Sequence, residues 1–464
     1  MTAPLDKPSF ILLSLDTFRA DRLSAWGNTE GVAPNLDAFA RESVVFREAW
    51  SQASTTGPSH ASLFTSRYPT EVAGPTRAPA IDKLHTLPEV LGLYGYTTAA
   101  RVAGGDLAPS IGPTKGFDSY VPATDFGSLY HTLPLAVNWL DARDTTRPFF
   151  LFLHGYDTHP AYLKPTPFGL LHARSGALET SEAAVLRTSE RVIDGRLHPS
   201  HALLEGINRQ FLRPRGAEAR AWLDAEVGKT DFPEVSPDKQ ELIRDTYDGA
   251  ASYADAWFGV MMTRLSERGI LDNAWVIVLS DHGEALGEHG MFHRCCSLGD
   301  EITQVPLMIR PPGGVAGGRT VTGLVELVDV MPTLLELADA APPAGIRGQT
   351  LGPALRGEPF PGRDHAISEG GLDLRQATVR LPEGRLVYTG VEALHPLRGE
   401  LIATAQVPGP SFEIVNLSVE RAKIARDALV SWEGTLVPAE QTTGAETPAE
   451  LKDALERHGY WDAK

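Results

Sequence analysis

Short apolar runs without alternation punctuate the chain: FILLSL at 10–15, FFLFL at 149–153 and AWVIVL at 274–279. A run that is apolar on both faces predicts a strand of a parallel sheet covered by helices on either side. Residues 97–102 and 305–309 predict two more strands, the second stopped by Pro311-Pro312. Helical spacing of apolar positions predicts helices over 35–46 and 85–94, a short one over 60–65, and another closing at 138–141. Ser236-Pro237 opens a long helix, with Ser as N-cap and Pro in the first turn. Its predicted apolar face carries Leu242, Thr246, Tyr253, Trp257, Val260, Met261 and Leu265, and Gly269 ends it. An amphipathic helix follows over 325–338, closed by Pro342-Pro343. Beyond residue 362 the pieces become short and β-like (HAISEG, RLVYTG, ELIATA, SFEIVNL), which predicts a smaller antiparallel sheet. A terminal helix is expected with Pro448 in its first turn and Gly459 as its stop.

Composition narrows the class. At 464 residues with 42% hydrophobic and 22% charged positions, the chain reads as an ordinary globular protein large enough for two domains. A formal net charge of −17 argues against a nucleic-acid partner, because phosphate backbones require clustered Lys and Arg. It does not exclude a small anionic substrate, since a bound metal can outweigh the global sign. The only cysteines, Cys295 and Cys296, are adjacent, so no disulfide framework is expected and free thiols are the preferred reading. The apolar start is too short for a membrane span and lacks the basic opening of a secretory signal, so a cytoplasmic location is expected.

The candidate chemistry lies where the apolar runs stop. They end at Asp16, at the Asp157/His159 group and at Asp281-His282. In an open parallel sheet the carboxyl ends of strands share one edge, and ligands bind there. Thr56 belongs to the run Thr56-Gly57-Pro58-Ser59-His60, where Gly57-Pro58 reads as a sharp turn into the 60–65 helix. Alone, Thr56 reads as an N-cap; beside the acidic strand ends it reads as a nucleophile at a helix N-terminus, where an anion is favoured. Asp16, Asp281, His282 and Thr56 would offer three oxygens and one nitrogen to one divalent ion, a mixture suiting Mn²⁺ or Zn²⁺, with Ca²⁺ as the alternative. His154 reads as a buried, hydrogen-bonded core histidine. His289 and His293 lie in a Gly-rich loop, as residues near the substrate or as solvated side chains.

The segments LDTFRADRLSAWG, TTGPSHASLFTSRYP, FFLFLHGYDTHPAY, WVIVLSDHGEALGEHG, VPLMIRPPG and LVDVMPTLLELA, in this order, resemble the sulfatase family of the alkaline phosphatase superfamily. The resemblance implies an α/β fold with a doubly wound, mostly parallel sheet flanked by helices, and a smaller C-terminal α+β domain. The expected boundaries are 1–361 for the catalytic domain, with 160–236 inserted over the active site, and 362–464 for the C-terminal domain. It further implies that Asp16, Asp281 and His282 bind the metal, that Thr56 holds the nucleophile position, and that His159 meets the leaving group as general acid. His60 stands where the family motif carries arginine, to orient Thr56 or touch substrate oxygens. Arg19, Arg294 and His293 are candidates for binding the substrate anion. Two departures matter. Sulfatases proper make formylglycine from Cys or Ser in a C/S-x-P-x-R motif, and the extra methyl of Thr56 leaves no route to that aldehyde. Thr17 also replaces the second Asp of the usual pair. The expected function is therefore metal-dependent cleavage of a phosphate mono- or diester through Thr56. The alternatives are sulfate-ester hydrolysis without formylglycine and a non-catalytic anion- or partner-binding protein.

Overall fold

The computed structural model describes residues 7–72, 80–110, 112–123, 127–159, 162, 164–165, 167–172, 191–193, 196–198, 237–288, 298–315, 317–370, 376–389 and 411–437. In chain order the elements that position the site are β1 (Ser9–Leu15), α1 (Pro34–Arg41), β2 (Val44–Phe46), α2 (Thr56–Thr65), α3 (Leu87–Leu93), β3 (Thr97–Val102), β4 (Ser119–Pro122) and α4 (Leu129–Ala142). They continue with β5 (Phe149–Gly155), α5 (Pro237–Ser266), β6 (Ala274–Leu279), β7 (Leu307–Arg310), β8 (Arg319–Val321) and α6 (Val330–Leu337). Eight strands form one sheet in the order β8-β2-β7-β6-β1-β5-β3-β4. Only β7 runs antiparallel to its neighbours, β6 and β2. The remaining pairs are parallel.

The apolar runs are continuous because both faces of the sheet are covered. Phe10 and Leu12 of β1, Phe150 and Phe152 of β5, and Ile277 and Leu279 of β6 enter one core cluster, together with Leu63 and Phe64 of α2. The intervening Ile11, Leu13, Leu151, Leu153, Val276 and Val278 enter another, with Phe39 of α1 and Phe258 of α5. Successive strand side chains point to opposite faces, so a strand inside a three-layer stack needs apolar residues at every position.

The C-terminal segments form a four-stranded antiparallel sheet of β9 (Ala366–Gly370), β10 (Gln376–Leu381), β11 (Gly384–Thr389) and β12 (Ser411–Val415). The helix α7 (Val419–Glu433), started by Ser418 whose side chain accepts from Arg421 N, packs Ala425, Leu429 and Trp432 against it. Neither β10 nor α7 follows from the pattern read above. The ELIATA strand and the terminal helix over 448–459 lie outside the described residues, as does most of the 160–236 segment.

Several boundaries move for identifiable reasons. The helix expected over 35–46 ends at Arg41, and Val44–Phe46 becomes β2, since Val44 and Val45 pair with β7. The helix expected over 325–338 is shortened at its start: Val325–Glu326 is a strand, a single 3-10 turn follows, and α6 begins at Val330. On α5 the buried face is Tyr247, Ala251, Ala254, Phe258, Met261 and Leu265, a strict alternation of three- and four-residue steps. Val260 falls off this stripe and is 38% exposed, contrary to its expected place on the apolar face. Phe258, which meets Phe39 edge-on at 5.2 Å, takes its place. Chemical denaturation should therefore show Phe258→Ala destabilised by about 3–5 kcal/mol, and Val260→Ala unchanged to within about 0.5 kcal/mol.

Candidate active site at the carboxyl edge

The three central strands β6, β1 and β5 are neighbours, and their register aligns their ends. Leu15 lies opposite Gly155, and Ser14 opposite Leu279. Asp16 and Asp281, each two residues beyond the Ser14–Leu279 pair, thus emerge side by side. Asp16 N donates to Gly155 O at 2.9 Å, and Thr158 Oγ1 donates to Asp16 O at 2.5 Å, binding the β5 exit loop to the β1 exit.

Asp16, Asp281 and His282 each offer one ligand atom, and these atoms all lie within 4.8 Å of one another. All three are buried. Two carboxylates this close in a dry site repel each other unless a cation or a proton lies between them, so the donor set fits a divalent ion. The surrounding backbone holds the carboxylates ready. Thr17 N donates to Asp281 Oδ1 at 3.3 Å, and Ser59 Oγ donates to Asp281 O at 2.8 Å. Ser280 Oγ donates to Leu15 O and lies 2.6 Å from His282 O, stitching the ends of β1 and β6 together.

Thr17, at the position of the missing second Asp, does not point into this cluster. Its hydroxyl donates to Asp16 O at 2.6 Å, and its φ of 59° is left-handed, a costly conformation for a β-branched residue. The conformation is what aims its N–H at Asp281, and the Tyr247 hydroxyl donates to Thr17 O at 2.7 Å to hold it.

Thr56 is the first residue of α2. The helix begins a turn earlier than the 60–65 expectation, with Gly57 and Pro58 inside its first turn; a proline costs nothing there because those N–H groups have no intrahelical partner. The N-cap position falls to Thr55, so the Thr56 hydroxyl is released for other work. It donates to Asp16 Oδ2 at 3.0 Å and lies 3.4 Å from His282 Nε2.

His60 sits one turn along α2 and is sealed from solvent. Its Nδ1 donates to Thr56 O at 2.8 Å, and its Nε2 accepts from Ser14 Oγ at 3.0 Å. Burial, with His154 beside it, pushes its pKa down to about 3, so the ring is neutral.

His159 follows β5 and stacks on Tyr156, ring centroids 3.9 Å apart. Asp157, grouped with it in the sequence, turns away from the acidic cluster: its Oδ2 accepts from Leu129 N at 2.9 Å at the start of α4. Burial raises its pKa. Arg19 is also nearly buried. It pairs with Asp21 at 2.7 Å and Glu288 at 2.8 Å, and donates to Glu284 O, so its charge is largely neutralised within the protein. His293 and Arg294, with His289, Cys295 and Cys296, lie outside the described residues. Sequence reasoning missed Ser14, Ser59, Ser280 and Tyr247, whose partners, apart from His282 O beside Ser280, are backbone groups or a histidine distant in sequence; no local spacing signals such contacts. Among the described residues, no helix is long and apolar enough to cross a membrane.

A mostly parallel sheet with buried acids, imidazoles and a hydroxyl at its carboxyl edge, accompanied by a small antiparallel sheet, is a fold shared with the solved structures described below. Residues 8–340 match the family model described as Sulfatase, and the chain belongs to the sulfatase family. It is 26% identical over 404 residues to an N-acetylglucosamine-6-O-sulfatase of Bacteroides thetaiotaomicron, covering 76% of this chain and 71% of that protein. It is likewise 26% identical over 418 residues to a multifunctional alkaline phosphatase superfamily protein of Trinickia caryophylli, covering 76% and 77%. A structure solved in complex with its substrate D-glucosamine-2-N,6-O-disulfate superposes with a TM-score of 0.68 at 20% identity, over 94% of this chain and 100% of that one. A phosphonate monoester hydrolase of Agrobacterium radiobacter gives a TM-score of 0.67 at 19% identity, over 96% and 97%.

Proposed function

We propose that the protein is a metal-dependent hydrolase or transferase that cleaves a phosphate mono- or diester with the Thr56 hydroxyl as nucleophile. The observation that carries this reading is the placement of Thr56 Oγ1, 3.0 Å from Asp16 Oδ2 and 3.4 Å from His282 Nε2 in the first turn of α2. Asp16, Asp281, His282 and Thr56 would hold one divalent cation, and their mixed oxygen and nitrogen donors favour Mn²⁺ or Zn²⁺ over Ca²⁺. Such an ion, when bound, lowers the pKa of an adjacent hydroxyl and neutralises charge on the substrate oxygens.

Thr56, its proton released to solvent beforehand, attacks phosphorus as the alkoxide and forms a threonine phosphate ester as the bond to the leaving oxygen breaks. His159 gives that oxygen a proton. Water, or an acceptor alcohol in the transfer case, then attacks the same phosphorus, giving up a proton to His159 and releasing Thr56 as the alkoxide that began the cycle. A threonine ester can leave only by attack at the central atom, which phosphorus permits readily and sulfur does not. That asymmetry, rather than the fold, separates phosphate from sulfate here. Sulfate-ester hydrolysis stands as the second reading because the relatives named above include sulfatases.

Initial rates on an aryl phosphate, an aryl phosphodiester and an aryl sulfate, measured with each metal, test the preference. Phosphorus esters should turn over faster, and sulfate turnover exceeding both would reverse the assignment. His159→Gln should slow esters of poorly acidic alcohols by about 10²–10⁴-fold and nitrophenyl esters far less, because only a basic leaving oxygen needs the proton. An equal loss on both would count against His159 as the acid.

A further inference from the structure

The backbone leading to His159 is held on both residues that precede it. Asp157 Oδ2 accepts from Leu129 N at 2.9 Å, and Thr158 Oγ1 donates to Asp16 O at 2.5 Å. Those bonds fix the chain but leave the two rotatable bonds of the His159 side chain unset. What sets the ring is an aromatic neighbour. A row of rings that begins on β5 runs past the end of the strand. Phe152 and His154 lie 6.2 Å apart between centroids, His154 and Tyr156 also 6.2 Å, and Tyr156 and His159 3.9 Å. Phe152, His154 and Tyr156 are two residues apart, so the alternation of β5, continued one residue beyond Gly155, brings these three into line.

The last step of the row differs in kind. The planes of Tyr156 and His159 are 17° apart, a face-to-face stack, whereas the two earlier pairs are tilted by 34° and 50°. Both residues are buried. At this separation the two rings are in van der Waals contact, so turning the imidazole out of the stack drives its edge into the phenol ring. Tyr156 is itself backed by the chain. Gly104, in the turn after β3, has a φ of 89°, and a Cβ built on it would lie 2.7 Å from both Cδ2 and Cε2 of Tyr156. Only glycine lets the backbone come this close to the ring in that conformation. The same turn is tied to β5, because His154 Nδ1 donates to Ala103 O at 2.7 Å.

We infer that Tyr156 is a positioning residue for the reaction proposed above: its ring, braced by the Gly104 backbone, is the platform that fixes the His159 imidazole for proton transfer to the leaving oxygen. This role rests on His159 being the acid, and not on the identity of the metal or on which ester is cleaved. Proton transfer depends on placement, and a group displaced by about 1 Å can cost about 10²-fold in rate. The platform requires an aromatic face and no hydroxyl, so phenylalanine should serve in its place and an aliphatic side chain should not.

Tyr156→Leu should slow esters of poorly acidic alcohols by about 10–100-fold and nitrophenyl esters by less than about threefold, while Tyr156→Phe keeps the wild-type dependence on the leaving group. A side chain that only filled space would slow both esters alike. In the double variant Tyr156→Leu/His159→Gln the loss should not exceed that of His159→Gln alone, because the platform acts through the imidazole. The stack is also read without turnover. In the full chain carrying isotope-labelled histidine, the ring protons of His159, assigned by their disappearance in His159→Gln, should be shifted upfield by the Tyr156 ring current. That shift should survive Tyr156→Phe and vanish in Tyr156→Leu. If Tyr156→Leu does not fold, Gly104→Ala takes its place, since the added Cβ must push the ring aside; the same bias between the two esters is expected. Equal loss on both esters, or no loss, with His159→Gln still biased, overturns the role of Tyr156 and leaves His159 as the acid. An unshifted His159 resonance in the wild type overturns the platform on its own. No bias in His159→Gln overturns the acid and the platform together.

Discussion

Thr56→Ala is expected to lower kcat/KM for the preferred ester by about 10⁴-fold while divalent metal still binds, because it removes the attacking atom and spares the acidic cluster. The fold should tolerate the change. Thr55, not Thr56, occupies the N-cap position of α2, and the hydroxyl's single donated bond goes to Asp16 Oδ2. A net loss of about 1 kcal/mol in stability is the scale for one such bond. Thr56→Ser keeps an attacking hydroxyl at the same Cβ and should recover activity to within about tenfold of the wild type. The check is kcat/KM for both variants alongside metal content from elemental analysis. Thr56→Ala activity within tenfold of the wild type would mean that water attacks directly, and the role assigned to Thr56 would fall. Loss of metal together with activity would instead place Thr56 among the groups essential for binding the ion.

Asp281→Asn should produce the second large effect, with opposite signs in the two metal states. Asparagine keeps an oxygen for the Thr17 N–H but halves the carboxylate charge of the Asp16–Asp281 pair. Metal affinity should fall by about 100-fold or more, at or beyond the loss seen when groups supporting a ligand are removed. In chelator, however, the buried pair has no cation between its oxygens, and neutralising one member should stabilise the folded chain by about 1–3 kcal/mol. Chelation is therefore expected to lower the melting temperature of the wild type more than that of Asp281→Asn. Saturating metal should restore the wild type selectively, since a ligand that binds only the folded state stabilises it. Paired melts of both proteins with and without metal check this. A wild-type melt unmoved by chelator would mean that the two acids are not waiting for a cation.

Much of this was legible in the residues. The apolar runs at 10–15, 149–153 and 274–279 announced strands because full burial of both faces requires apolar residues at consecutive positions, and all three are strands, as are residues 97–102. Asp16 and Asp281-His282 were visible because an abrupt polar residue after such a run marks the edge where parallel strands stop together. The failures also have physical causes. Val44–Phe46 prolonged a helical pattern because three apolar residues fit either period, and only the presence of β7 and β8 on either side made a strand there. On α5 the choice between Phe258 and Val260 depends on the exact phase of the helix against α1, which local spacing does not supply.

His154 marks the division most clearly. Its sequence context supports a buried, hydrogen-bonded histidine, and through Nδ1 that is what it is. The direction of Nε2 comes from the phase of β5, from α2 crossing that face, and from the register that brings Asp16 to within 3.5 Å. The sequence by itself determined the class of fold, the strand ends that carry the acids, and the threonine that stands where the family motif carries Cys or Ser, because burial and residue chemistry act locally. The tertiary structure alone decided which ring nitrogens of His154 and His282 face the acids, that Arg19 is paired with its acidic neighbours, and that Thr17 works through its N–H. Those outcomes depend on the directions of bonds between residues far apart in the chain, and one-dimensional spacing carries no such directions.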